Sequence, residues 1–164
     1  MDINTYGYES PLGVLKICSN EDHIISVEYA HENIQSLHKE EEPAPVIQEC
    51  IRQLDQYFSG KELHFTLPLQ QAGTAFQQSV WSLLLKIKPG ETYSYLQLSK
   101  RLGNPKAIRA VGTANGANNI AIIVPCHRVI GSTGNLVGYA GGLWRKKWLL
   151  DHEAKHCHGI QALF

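Results

Sequence analysis

No apolar run reaches the ~18 residues that a membrane-spanning helix needs, so no membrane span is predicted. The N-terminal residues Met1-Asp2-Ile3-Asn4 have neither a basic leader nor an apolar core, so no secretion signal is predicted. The four cysteines, Cys18, Cys50, Cys126 and Cys157, form no CxxC pair and no regular framework. That spacing argues against a disulfide scaffold. It fits free thiols in a reducing compartment, hence a cytoplasmic protein, or a nuclear one if the source is eukaryotic. Internal repeats and low-complexity segments are also lacking. So is net charge, with fifteen basic against fifteen acidic side chains.

Zero net charge by itself argues against a nucleic-acid partner, but its distribution reverses that conclusion. Residues 1–71 carry four basic groups against twelve acidic ones, a net of −8. Residues 72–164 carry eleven basic groups against three acidic ones, a net of +8. A half that basic is drawn to phosphate; equally, the two halves attract each other.

At 164 residues with 43% hydrophobic content, the chain is long enough for two small packed domains, divided here at 1–71 and 72–164. In the first, Ile3–Glu9, Leu12–Cys18 and His23–Tyr29 alternate apolar and polar residues around two turns, which predicts an antiparallel meander. Residues 31–42 are polar and acidic and read as a surface helix or loop. Pro45 opens an amphipathic helix that Gly60 ends. The second half is mainly helical. Thr74 caps a helix through Phe76, Val80, Trp81 and Leu84. Ser94 and Gln97 form a capping box for a short helix closed by Gly103. Asn104-Pro105 then starts a helix to about Gly116. Helix, glycine-containing turn, helix is the helix-turn-helix pattern. Lys106, Arg109 and Thr113 lie at i, i+3, i+7 on its second helix, and Ala107, Ala110 and Ala114 allow close approach of a backbone. A last helix, Trp144–Glu153, is expected to pack through Trp144, Trp148, Leu149 and Leu150. The fold class is therefore α+β.

The apolar run Ile120–Val124 reads as a buried strand that delivers Pro125-Cys126-His127-Arg128-Val129 to a sharp turn. A cysteine is nucleophilic as thiolate, and an ordinary thiol with pKa near ~8.5 is mostly protonated at neutral pH. An adjacent imidazole and cation are the groups that lower that value. The plainer reading of the same pentapeptide is a cysteine packed as a small hydrophobe. Three functions follow: a nucleophilic acceptor, a cysteine hydrolase using Cys126, His127 and Glu153, or a DNA-binding regulator in which Cys126 is structural.

The stretch from Phe76 to Glu153 closely resembles the O6-alkylguanine-DNA alkyltransferases. The resemblance rests on Tyr95, on Gly103-Asn104-Pro105-Lys106-Ala107-Ile108-Arg109-Ala110-Val111-Gly112, on Ile122 to Ile130 around the PCHRV motif, on Gly138-Tyr139-Ala140-Gly141-Gly142, and on Lys147 to Glu153. It implies a ribonuclease-H-like N-terminal domain and a winged-helix-like C-terminal domain with its helix-turn-helix in the DNA minor groove. It implies a single-turnover transfer of the alkyl group from guanine O6, and from thymine O4, to Cys126, with the nucleotide flipped out of the duplex. His127 then removes the thiol proton through a water, Glu153 orients and charges His127, and Asn118 braces the active-site turn. Tyr95 donates to the flipped base. Arg109 fills the gap in the helical stack. Lys106, Thr113, Ala110 and Arg128 join it as DNA contacts, while Val129, Tyr139 and Ala140 line the base pocket with Tyr95. Ala140 and Asn115 depart from some relatives, which carry serine and an apolar residue there; Asn115 is expected to alter DNA contact only. The implied partner is double-stranded DNA bearing O6-alkylguanine, met by a monomer with no cofactor and no metal. The C-terminal cluster His152, His156, Cys157 and His158 reads as a chain-end segment rather than a metal site. Arg145, Lys146 and Lys147 read equally as phosphate contacts or a solvated face.

Overall fold

The computed structural model describes residues 2–31, 33, 37 and 42–159. Most of the acidic segment 31–42, expected as a surface helix or loop, lies outside the described residues. The chain divides into two compact units, residues 1–72 with Asn119–Ala121, and residues 73–118 with 122–164.

In the first unit β1 (Asn4–Ser10), β2 (Gly13–Ser19) and β3 (Ile24–Tyr29) form an antiparallel sheet in the order β1-β2-β3. Ser10 faces Gly13 across the first turn, where Gly13 takes φ 101°, a conformation that glycine adopts without steric cost. The Ser10 hydroxyl donates to the Gly13 carbonyl and accepts from the Leu12 N–H, fixing the turn. Alternation sends Leu15 and Ile17 of β2 to the core. Helix α1 (Pro45–Ser59) covers that core with Ile47, Cys50, Leu54 and Tyr57, and ends at Gly60 in the left-handed region. Buried Gln53 is fully occupied: its Oε1 accepts from the Thr66 N–H (2.8 Å), and its amide donates to Thr66 Oγ1 (3.1 Å).

The second unit contains α2 (Ala75–Leu84), β4 (Tyr93–Ser94), α3 (Tyr95–Arg101), α4 (Ile108–Gly116), β5 (Val129–Ile130) and α5 (Leu143–His158). Both expected capping boxes are present, Thr74 with Gln77 on α2 and Ser94 with Gln97 on α3. Helices α2, α3 and α4 pack together, and the Trp81 indole donates to the Ala114 carbonyl near the end of α4 at 2.9 Å. The short strands β4 and β5 pair in parallel, Tyr93 with Val129 and Ser94 with Ile130.

Three local expectations are corrected. Helix α4 starts at Ile108, not Pro105: the Asn104 side chain accepts from the Lys106 N–H and its carbonyl from the Ala107 N–H, so Asn104–Ala107 is a separate turn. The run Ile120–Val124 is not a strand. Ile120 makes a single bridge to Val27, and residues 121–123 turn away, with Ile122 at φ 73°. A left-handed β-branched residue is strained by about 1–3 kcal/mol and is held there by its burial. Finally, α5 runs on to His158, and Trp144 does not pack inward. It is 58% exposed, with the Arg145 guanidinium 4.6 Å above its ring.

Candidate active site

The chain reverses at Pro125 into one turn of 3-10 helix, Cys126–Arg128, whose three side chains are all buried. Two asparagines from the end of α4 hold this turn. Asn118 donates to the Val124 carbonyl at 2.9 Å, and Asn115 donates to the Cys126 carbonyl at 3.3 Å. Strand β5 follows immediately, so its pairing with β4 anchors the turn from the other side. The same pairing brings Tyr95, the first residue of α3, to the turn. Its hydroxyl donates to the Val137 carbonyl at 3.3 Å, and its ring lies 3.8 Å from where a side chain on Gly112 of α4 would sit.

Behind the cysteine is a buried charge cluster. His127 Nε2 meets Glu153 Oε2 at 2.7 Å. Arg128 clamps the same carboxylate with two donors, Nε to Oε1 at 2.8 Å and Nη2 to Oε2 at 3.0 Å, and gives Nη1 to the Ile87 carbonyl at 2.6 Å. Burial alone would raise the Glu153 pKa. The hydrogen bonds from His127 and Arg128, together with the Arg128 charge, override it and hold the carboxylate well below its usual range. Burial lowers the His127 pKa despite Glu153, so at neutral pH the imidazole is uncharged and can accept a proton. With Nε2 committed to Glu153, the accepting atom is Nδ1, which is buried and makes no hydrogen bond within the protein.

Burial raises the Cys126 thiol above its ordinary value, and the hydrogen bond from Asn118 and the Lys146 charge only moderate this. The resting cysteine is therefore a thiol, not a standing thiolate. This corrects the expectation that its neighbours lower its pKa: Arg128 is turned away to Glu153, and His127 is neutral. Arg128 is likewise corrected as a DNA contact, because it is buried and all its guanidinium bonds are internal.

Lys146, expected as a phosphate contact or part of a solvated face, is neither. Fully buried, its ammonium donates to the carbonyls of Val129 (2.6 Å), Val137 (2.8 Å) and Gly138 (3.1 Å), which ties β5 to the glycine-rich loop. Burial lowers its pKa to about 8, with Cys126 opposing. The signal was available in the spacing. Lys146, Leu149, Leu150 and Glu153 fall at i, i+3, i+4, i+7 and form the inward stripe of α5. Asn115, expected to bear on DNA contact only, is corrected by the same kind of signal: it lies on the buried stripe Val111, Ala114, Asn115 of α4 and bonds the nucleophile's turn.

The remaining expected residues lie on two faces. Arg109, Ala110 and Thr113 project from the exposed side of α4, and with Lys106 and Phe76 they line a surface groove of about 610 Å³. Val129 is buried in β5, Tyr139 is half-buried and Ala140 is exposed in the glycine-rich loop. At the C-terminus, His152 stacks on Trp148 at 4.7 Å and meets His156 edge-on at 4.6 Å. Among the described residues no group of three or more His, Cys, Asp or Glu side chains is placed to hold a metal ion. No helix among them is long and apolar enough to cross a membrane.

A thiol beside a histidine, a buried carboxylate behind that histidine and a helix-turn-helix in the same unit define a cysteine-nucleophile protein built on a DNA-binding scaffold. Known proteins give the family. Residues 75–155 match the 6-O-methylguanine DNA methyltransferase DNA-binding domain, and residues 5–71 match the ribonuclease-like domain of the same family. A methylated-DNA–protein-cysteine methyltransferase of Methanosarcina acetivorans is 45% identical over 148 residues, covering 89% of this chain and 95% of the relative. The constitutive one of Bacillus subtilis is 44% identical over 154 residues, covering 88% and 92%. The crystal structure of the Mycobacterium tuberculosis O6-methylguanine methyltransferase superposes with a TM-score of 0.84 at 39% identity, covering 95% of each chain. That of the M. tuberculosis protein in complex with DNA gives 0.83 at 41% identity, covering 93% of each. The chain belongs to the 6-O-methylguanine DNA methyltransferase family.

Proposed function

We propose that this protein repairs DNA by moving the alkyl group of O6-alkylguanine onto its own Cys126, once per molecule. The observation that carries the reading is the buried Cys126–His127–Glu153 arrangement in one unit with the exposed face formed by α4 and the turn before it, which carries Arg109 and Lys106. Arg109, Lys106, Thr113 and Ala110 approach the duplex on that face, and the damaged nucleotide leaves the stack to reach Cys126, at a cost of a few kcal/mol. Tyr95, Val129, Tyr139 and Ala140 form the pocket for the flipped base. The partner is double-stranded DNA, met by a monomer in the cytoplasm, and residues 72–164 form the acceptor domain.

The chemistry follows from the protonation states. The Cys126 proton passes to neutral His127 at Nδ1, directly or through a water, and the resulting imidazolium is stabilised by the Glu153 carboxylate. The thiolate attacks the alkyl carbon. A carbon–sulfur bond forms as the carbon–oxygen bond to guanine O6 breaks, and the electron pair stays with the oxygen. Tyr95 donates its proton to the departing base, so guanine leaves neutral, and the imidazolium proton returns by way of solvent to the phenolate, which restores both side chains. The thioether has no hydrolytic partner in the site, which makes the reaction irreversible.

The test is intact mass after mixing the protein with an equal amount of duplex containing one O6-methylguanine. A gain of one methylene per chain, mapped to Cys126 and stopping there, is the expected result. Methylated DNA left unchanged by folded protein would overturn the reading; turnover of a small ester would instead point to a cysteine hydrolase.

A further inference from the structure

Asn115 sits where the recognition helix, the tyrosine and the nucleophile meet, and its side chain is only half used. It is 5% exposed. Its Nδ2 donates to the Cys126 carbonyl, and the amide also hydrogen-bonds Tyr95. Its Oδ1 is buried and accepts nothing. Leaving a buried acceptor unpaired is costly in any protein, and such groups call for a reason. The buried amide of the first unit, Gln53 at 4% exposure, has both ends paired, so this fold satisfies amides where nothing else depends on them.

We propose that Asn115 is a specificity-determining residue of the base pocket, its Oδ1 accepting a hydrogen bond from the exocyclic amino group of the flipped guanine. This deepens the proposed function and rests on it. The chemistry singles out that group. An O6-alkylated guanine has lost its ring N1–H, so the 2-amino group is the one base-edge donor left, while N1, N3, N7 and O6 are all acceptors. Tyr95, a donor, serves one of the acceptors, and Asn115 Oδ1 serves the amino group beside it. The bond from Tyr95 to the Val137 carbonyl is long, 3.3 Å, so the hydroxyl can exchange it for the base. A site built to satisfy a substrate N–H rejects an analogue that lacks it, because its own acceptor then stays unpaired.

The experiment compares single-turnover methyl transfer to Cys126 from two duplexes, one containing O6-methylguanine and one O6-methylhypoxanthine, which lacks only the 2-amino group. Wild-type protein is expected to react about tenfold faster with the guanine duplex. In Asn115→Leu, close in volume and without an acceptor, that preference shrinks to within about twofold, mainly through slower reaction with the guanine. The cost of flipping each base belongs to the DNA and cancels between variants. Asn115→Ala repeats the comparison with less demand on packing. A preference unchanged in both variants overturns the proposal, as does wild-type protein that treats the two bases alike. Absence of methyl on wild-type Cys126 with either duplex overturns the repair function itself.

Discussion

The two units bury different chemistry. In the first, the core is Leu12, Leu15, Ile17, Ile24, Val27, Ile47, Leu54 and Tyr57, and the buried polar side chains are the uncharged Ser19, Asn20 and Gln53. The second buries Arg128, Lys146, Glu153, His127 and His152 beside its apolar residues. Desolvating an ion costs several kcal/mol, and a buried ion pair seldom returns more than an apolar replacement of the same volume would. The second unit therefore accepts a less favourable interior in order to hold an ionised carboxylate against a neutral imidazole next to a thiol. Among its described residues the first unit has no such site and packs conventionally. Stability and function are thus separated along the chain, and substitutions in the two units have effects of different size and kind.

The largest effect belongs to Glu153→Ala. It strands the Arg128 guanidinium without its bidentate partner and frees His127 Nε2. Breaking one side of a buried ion pair costs about 3–5 kcal/mol, so the second unit should melt early while the first is unaffected. Thermal unfolding followed by a probe in each unit checks this, and equal loss in both units would break the contrast. In whatever protein remains folded, methyl transfer falls sharply, since the imidazolium has lost its counterion.

Acid should separate the two units as well. Glu153 has a pKa held below its ordinary 4.5, so its contribution is complete above that value and is lost as the pH falls through the lower folded value. His127 has a pKa below its ordinary 6.5. The unfolded chain takes up that proton first, so stability declines as the pH drops below about 6.5. Both trends have the same sign and both groups lie in the second unit. Denaturant midpoints between neutral pH and mild acid should fall for that unit and depend on Glu153. The methyl-transfer rate should stay level through neutral pH and past 6.5, and decline only at the lower pH where the folded His127, with its depressed pKa, gains its own proton.

The same contrast governs what the sequence made readable. Capping boxes, turn glycines and periodic apolar stripes located β1 to β3, α1, α2 and α3, because local chemistry decides those elements. Cys126, His127 and Glu153 came from a motif and from the resemblance it carries. Long-range pairing was harder to read. Nothing local says that Ile120 bridges to Val27 and that the chain then turns away with Ile122 in a strained conformation. The charge of Arg128 and Lys146 favours solvent, but tertiary partners from other elements bury them. Asn104-Pro105 has the signature of a helix start yet forms a turn that ends one residue before α4.

A sharper comparison uses the two buried amides. Gln53→Leu removes both hydrogen bonds to Thr66 and leaves the Thr66 N–H without its acceptor. It should cost about 1–3 kcal/mol in the first unit. Asn115→Leu deletes an acceptor that had no partner and gives up the long bond to the Cys126 carbonyl and the bond to Tyr95. Its effect on stability should stay within about 0.5 kcal/mol of zero, because removing an unpaired buried group offsets the loss. Chemical denaturation of the two variants reads both values. A large loss at Asn115 would mean that its amide serves packing rather than the substrate.

The smallest effect is expected at Tyr8. Its hydroxyl donates to Asp55 at 2.6 Å, and burial together with that carboxylate holds the phenol well above its ordinary range. The proton therefore stays on the tyrosine at every pH the protein meets, and the contact is an ordinary hydrogen bond to a charged acceptor. Asp55 lies exposed on α1, so in Tyr8→Phe its carboxylate recovers water in place of the lost donor. The ring is retained and keeps its stacking against Phe58 at 6.2 Å. A cost of about 1 kcal/mol or less follows, a melting shift of roughly 4–8 °C at most for a unit of this size. Because the first unit holds none of the reacting groups, methyl transfer to Cys126 should proceed at the wild-type rate. A slower transfer in Tyr8→Phe would mean that the antiparallel sheet takes part in the chemistry, and the division of labour between the two units would have to be redrawn.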